Sequence, residues 1–191
     1  LPVDAQALLL IEVDGHRAQV EEDADKIESI CRRKGASSIQ VARTAVERDK
    51  VWEARRTALS ALAKLKPTLV LEDATVPRSK IPEMVGALEN IAAKHNLTIG
   101  TFGHAGDGNL HPTILTDKRD RHEWERVETA IDEIFDRALA LGGTLSGEHG
   151  TGIAKSRYLE KETSRATIAY SKRVKAALDP KNILNPGKIF D

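Results

Sequence analysis

The chain is poor in the residues that announce a specialised scaffold. It has one cysteine, one methionine and only 4% aromatic residues in 191 positions. A lone Cys31 leaves no disulfide framework and no cysteine-based zinc knuckle, and it fits a reducing compartment. With so few aromatic rings the core must be built from Leu, Ile, Val and Ala. There is no excess of either charge, 29 Lys+Arg standing against 29 Asp+Glu. This removes the electrostatic footprint expected of a nucleic-acid binder or of a protein that adheres to an anionic membrane. Long apolar runs are missing too: the longest, residues 7–11, is too short for a transmembrane span or a signal-peptide core.

What is present is a 40% hydrophobic chain, long enough to bury a core as one domain or as one domain with an appendage. Apolar residues at 7–13 are expected to form a strand, and Val20, Ala24, Ile27 and Ile30 a helix that ends near Gly35. Alternation over 38–43 predicts another strand, and the stripe of Trp52, Arg55, Leu59 and Leu62 a helix over 47–64. A strand at 68–71 precedes a break at Val76-Pro77. A helix carrying Met84, Leu88 and Ile91 ends near Asn96, and strands at 97–102 and 110–115 flank a glycine-rich turn. Trp124, Val127, Ile131, Ile134, Ala138 and Leu141 step by three and four until Gly142-Gly143, and a polar helix is predicted over about 161–178. The interleaving predicts an α+β fold: a mostly antiparallel, ferredoxin-like sheet with helices packed on one face. The chain opens on Leu-Pro rather than Met and closes without a polar tail, so it is expected to be an excised piece of a longer polypeptide.

Two stretches carry chemistry. In Gly103-His104-Ala105-Gly106-Asp107-Gly108-Asn109-Leu110-His111, a Gly/Asp/Asn turn joins two strand-like segments. Counting inward from its ends sets His104 opposite His111, with Gly106–Asn109 as the loop. Opposed residues have Cβ atoms roughly 5 Å apart, close enough for two imidazoles to share a divalent metal. Alternatively both histidines merely flank the turn. In Gly147-Glu148-His149-Gly150-Thr151-Gly152, a carboxylate and an imidazole stand between glycines. Glu148 with His104 and His111 would complete a two-His, one-carboxylate set suited to zinc, manganese or iron. His149, expected to point elsewhere, is left as a general base. The alternative is a solvated surface loop. Arg55, on the apolar stripe of its helix, would either receive a carboxylate in a bidentate fork or snorkel over apolar surface. Gly106-x-Gly108 is no dinucleotide fingerprint, since no helix follows it, and the 147–152 glycines lack the Lys-Ser/Thr of a phosphate loop. Cys31 is expected in the core, and His16, His95 and His122 on the surface.

The strings VWEARR, EDATVPRSKIPEMV, TFGHAGDGNLHP, GGTLSGEHGTG and VKAALDPKNILNPGKIF, in this order, resemble the C-terminal region of FAD-linked 2-hydroxy-acid dehydrogenases. That group includes the glycolate oxidase flavoprotein subunit, D-lactate dehydrogenase and D-2-hydroxyglutarate dehydrogenase. The resemblance implies one FAD-linked oxidase C-terminal domain over 1–191. Within it, 1–160 would be a substrate cap, and 161–191 a helix and tail returning toward an N-terminal FAD-binding domain outside this chain. It implies metal ligands at His104, His111 and Glu148 for zinc or manganese, the base at His149, the substrate carboxylate on Arg55, a substrate contact at Asn109 and a flavin contact at Asn185. Its partners would be a small 2-hydroxy acid and the FAD domain, with an iron-sulfur subunit among those it admits, in the cytoplasm or docked on a membrane complex. Leu59 and Leu71 stand where the 2-hydroxyglutarate enzymes carry polar and basic groups, which turns the expectation toward glycolate or lactate. A metallohydrolase and a non-catalytic interaction module are the readings from other classes.

Overall fold

The computed structural model describes residues 5–190; the opening Leu-Pro and the final Asp191 lie outside the described residues. The chain divides into two compact units, Leu1–Ala61 and Leu62–Asp191.

In the first unit, α1 (Arg17–Arg33) follows the apolar spacing of Val20, Ala24, Ile27 and Ile30. It stops where Gly35 takes a positive φ of 85° and its N–H returns to the Arg32 carbonyl. Helix α2 (Ala45–Leu62) starts at a reciprocal cap. Thr44 Oγ1 accepts from the Glu47 N–H while the Glu47 carboxylate accepts from the N–H groups of Thr44 and Arg43. The strands predicted at 7–13 and 38–43 do not form; both segments are irregular. Their apolar patterns are real, but a strand exists only where a neighbour accepts its backbone hydrogen bonds. Cys31 is half-buried rather than in a core.

The second unit is α+β. Strand β1 (Thr68–Leu71) and the short β2 (Ala74–Thr75) lie along one side of β4 (Asn109–Thr116), and β3 (Thr98–His104) along the other, all antiparallel. β1 and β2 share one register against β4, from Thr68↔Thr116 through Leu71↔Thr113 to Thr75↔Asn109, so they are a single line interrupted at Glu72-Asp73. Continued across that interruption, the register sets Asp73 opposite His111. Beyond β2, Thr75 and Thr144 exchange backbone hydrogen bonds and bring the chain back to the sheet.

Helix α3 (Ile81–His95) buries Met84, Leu88 and Ile91, and α4 (Arg121–Ala140) buries Val127, Ala130, Ile131, Ile134, Phe135 and Ala138. These residues join Ala74, Leu110 and Ile114 of the sheet in one core. Because strand side chains alternate, the helices cover the Leu110/Ile114 face and leave Asn109 and His111 on the other. Asp120 caps α4 by accepting from the Glu123 N–H, and Gly142 (φ 77°) ends it with a hydrogen bond from Gly143 N–H to the Ala138 carbonyl. The predicted 161–178 helix is two: α5 (Leu159–Glu162) and α6 (Arg165–Leu178), parted by extended Thr163 and restarted by the Ser164 cap. His95 is not a free surface residue; its side chain is largely covered and its Nε2 lies 3.1 Å from Glu133.

Candidate functional site

The site begins with the hairpin between β3 and β4. Its register differs by two residues from the one counted on sequence: His104 pairs with Asn109, Gly103 with Leu110 and Phe102 with His111. A turn residue explains the shift. Gly108 takes a φ of 76°, its N–H meets the Ala105 carbonyl, and its own carbonyl accepts from the Val76 N–H. A Cβ at Gly108 would collide with the Val76 carbonyl, so only glycine allows this approach. The turn is therefore Ala105–Gly108, fixed by a contact far away in sequence. A slip of two keeps side chains on the same face, so His104 and His111 remain neighbours on a diagonal. Their ring centroids are 5.5 Å apart and nearly perpendicular.

The loop that follows α4 brings the other half. His111 Nε2 lies 2.8 Å from Glu148 Oε1, and His104 Nε2 3.8 Å from the same oxygen. One ligand atom from each of His104, His111 and Glu148 falls within 4.8 Å of the others. Ligand atoms around a shared ion at about 2.0–2.2 Å sit roughly 3–3.5 Å apart, so this donor set fits a divalent cation with little adjustment. His111 is buried, while His104 and Glu148 are half open to solvent. Burial pushes the His111 imidazole down, against the pull of the Glu148 carboxylate. The ring is thus neutral near pH 7, as a metal ligand must be.

His149 does not point elsewhere. Its ring stacks on His111 at 5.0 Å between centroids and 13° between planes, and its Nε2 lies 3.9 Å from Glu148 Oε1. The cause is a residue of the EDATVPRSKIPEMV string to which the sequence assigned no role. Asp73, fully buried, accepts from Ser146 Oγ (2.6 Å) and from the N–H groups of Gly147 (3.1 Å), Glu148 (3.0 Å) and His149 (2.9 Å). This gathers consecutive loop amides round one carboxylate and folds both following side chains over the same strand. Burial alone would raise the Asp73 carboxyl, but the hydrogen bonds from Ser146, His149, Glu148 and Gly147 outweigh it and hold the group well below the usual carboxylate range. Lys155, also buried, donates from Nζ to the backbone carbonyls of Asp73 (3.0 Å) and Leu145 (2.7 Å), 3.9 Å from Asp73 Oδ2. Burial pushes this amine down, and Asp73 and Glu72 pull it back. Burial likewise raises the neighbouring Glu72. The sequence signals for Asp73 were its place in the EDATVPRSKIPEMV string and an acidic pair at the end of an apolar strand.

Asn109 is buried beneath the loop, its Oδ1 without a hydrogen-bond partner among the described residues, as are His111 Nδ1 and Thr75 Oγ1. Gly147 packs so closely over Asn109 and Thr75 that a Cβ there would strike both side chains. Asn185 lies in the exposed tail with a left-handed φ of 48°, and Ile189 N–H donates to the Gly152 carbonyl (2.9 Å), which returns the tail to the glycine loop. The second unit thus brings together His104, His111, Glu148, His149 and Asn109, with the tail beyond Asn185 tied to the same loop. Arg55, half-buried on α2, belongs to the other unit. No helix among the described residues is long and apolar enough to cross a membrane.

This geometry accompanies an unambiguous kinship. The family profile described as "FAD linked oxidases, C-terminal domain" matches residues 1–189, and the chain belongs to that family. It is 58% identical over 190 residues to the glycolate oxidase subunit GlcD of Bacillus subtilis (strain 168), covering 100% of this chain and 40% of that protein. It is 35% identical over 187 residues to glycolate oxidase subunit GlcD of Escherichia coli (strain K12), covering 98% and 38%. With the D-lactate dehydrogenase of Anaerostipes hadrus it shares 34% identity over 189 residues, 96% of this chain and 39% of that one. The chain therefore spans about two fifths of the length of these relatives.

Proposed function

We propose that the chain is the substrate side of an FAD-linked dehydrogenase or oxidase that converts a small 2-hydroxy acid, glycolate or D-lactate, to the 2-oxo acid. The observation that carries this reading is the convergence of His104, His111 and Glu148 on one point with the His149 ring stacked alongside. When bound, FAD accepts the hydride from the α-carbon, and a divalent zinc or manganese ion lowers the pKa of the substrate hydroxyl.

The chain's own residues do the rest. His104, His111 and Glu148 hold the cation. His149 removes the hydroxyl proton onto Nε2, the nitrogen that faces Glu148. Arg55 receives the substrate carboxylate in a planar fork. Asn109, buried with Oδ1 unpaired among the described residues, has an acceptor to offer a substrate group or a neighbouring metal ligand. Leu71 lies on the same face of the sheet, next along the strand line from Asp73, and is 39% exposed. An apolar side chain there suits a short monocarboxylate and opposes a second carboxylate. Asn185 and its turn face the flavin. Its partner is the N-terminal FAD-binding domain, with an iron-sulfur subunit among those this reading admits, in the cytoplasm or docked on a membrane complex.

The test uses the full-length polypeptide, reconstituted with FAD under anaerobic conditions. Glycolate, D-lactate, L-lactate and D-2-hydroxyglutarate are added in turn while the visible spectrum is recorded. Glycolate or D-lactate should bleach the flavin band, and His149→Ala should slow bleaching by about 10²–10⁴-fold. A flavin band untouched by every one of these acids overturns the reading.

A further inference from the structure

We propose that Asp73 and Lys155 form a buried positioning pair that sets the Glu148–His149 loop over β4, and that neither residue touches the substrate. The proposal deepens the functional reading above and rests on it for the roles of Glu148 and His149.

Three observations carry it. First, Asp73 is the one acceptor common to the amides of Gly147, Glu148 and His149 and to the Ser146 hydroxyl. The Ser146 hydroxyl oxygen in turn accepts from the Gly150 N–H at 2.7 Å, so the whole run 146–150 is organised from one carboxylate. Secondly, Lys155 is buried and spends its donors on the backbone carbonyls of Asp73 and Leu145, the two strands of chain that the loop must bridge. Thirdly, the shared register of β1 and β2, continued across Glu72-Asp73, sets Asp73 across from His111, so the anchor of the loop and the buried imidazole are set by the same sheet. A carboxylate in a water-excluded place is tolerated because its lone pairs are satisfied and a cation stands beside it. Removing either partner leaves the other exposed to that cost, and the loop loses its reference point. Nearby polar groups that hold metal ligands in place typically govern affinity by 10–100-fold.

The experiment compares wild type, Asp73→Asn, Lys155→Met and the double variant of the full-length polypeptide. Zinc affinity is read by competition with a chromophoric chelator, and backbone amide exchange by mass spectrometry on the metal-free protein. Asp73→Asn should weaken zinc binding by 10–100-fold and speed exchange at 147–149 by at least tenfold, with exchange in β4 unchanged. A purely structural role would speed exchange throughout the second unit together. Lys155→Met should act in the same direction, and the double variant should be no weaker than the worse single one, because the two act as a unit. Losses that multiply in full overturn the pair. So does unchanged exchange at 147–149 in Asp73→Asn. If Asp73→Asn does not fold, Ser146→Ala removes one contact to the same carboxylate and should shift zinc affinity and exchange the same way; no shift in either overturns the pair. A wild-type protein that takes up neither zinc nor manganese would defeat the metal reading alone, and amide exchange would still decide the pair.

Discussion

The two units of this chain use apolar residues in opposite ways. Among the described residues of the first, none is buried, and both helices expose or half-expose their apolar stripes. In the second, a continuous core runs from the sheet through α3 and α4 to Leu145 and Tyr158. The first unit is held by local devices: the Thr44/Glu47 cap and ion pairs one turn apart such as Arg17–Glu21 and Lys26–Glu22. The second is held by contacts between distant segments. Helices can be maintained by neighbours in sequence, whereas a sheet and a chemical site need partners from far along the chain.

The sharpest way to break that contrast is Phe135→Ala. Phe135 is 1% exposed at the centre of the core, and its loss should cost about 3–5 kcal/mol in urea unfolding. Val20→Ala on the half-buried stripe of α1 should cost under about 1 kcal/mol. Equal losses would erase the distinction. Each unit holds one tryptophan, Trp52 on α2 and Trp124 on α4, so Trp52→Phe and Trp124→Phe leave a reporter in one unit at a time. The Trp52 signal should change at lower urea than the Trp124 signal; coincident transitions would mean a single cooperative body. Confined to the first unit is Thr44→Ala, expected to cost about 1 kcal/mol by loss of the cap. It should move the Trp52 transition and leave that of Trp124 in place.

Another effect, confined to the second unit, appears only at high pH. Tyr158 is 2% exposed; burial, and then its hydrogen bond to Asp132, push the phenol up to about 12. Because the folded state holds that proton more tightly than the unfolded chain, the stability is complete below about pH 10, the ordinary phenol value, and is lost as pH rises toward 12. Tyr158→Phe should flatten the stability of the second unit across that window, measured by Trp124 fluorescence in urea at pH 9 to 12, while the first unit is unaffected.

The same contrast decides what was legible in the sequence. Every helix with a clear three-and-four stripe was found, in both units, because the spacing itself marks the buried or half-buried side. Residues 7–13 and 38–43 carried strand-like patterns and formed none, since no second strand pairs with them. The chemical residues were legible as types: histidines round a hairpin turn, and a carboxylate and imidazole among glycines. The register was not, because Gly108 is fixed by Val76, which no count along the hairpin includes. The stacking of His149 was hidden for a related reason: it follows from hydrogen bonds to Asp73, 76 positions earlier. A carboxylate whose partners are backbone amides leaves no pattern in the residue types of those partners.

The alternation of the sheet has a consequence for how this chain can vary in length. Phe102 and His104 on β3, Asn109 and His111 on β4, and Asp73 and Thr75 on the facing line all share one face and are all separated by two along their strands. An insertion of a single residue between Asn109 and His111 would send one of them into the helix-covered side, against Met84 and Ile134. Insertions in the turn at 105–108 carry no such parity rule, but they must preserve a glycine that can reach Val76. Length changes that keep the site are therefore confined to the exposed loops, and any change within these strands must come in pairs.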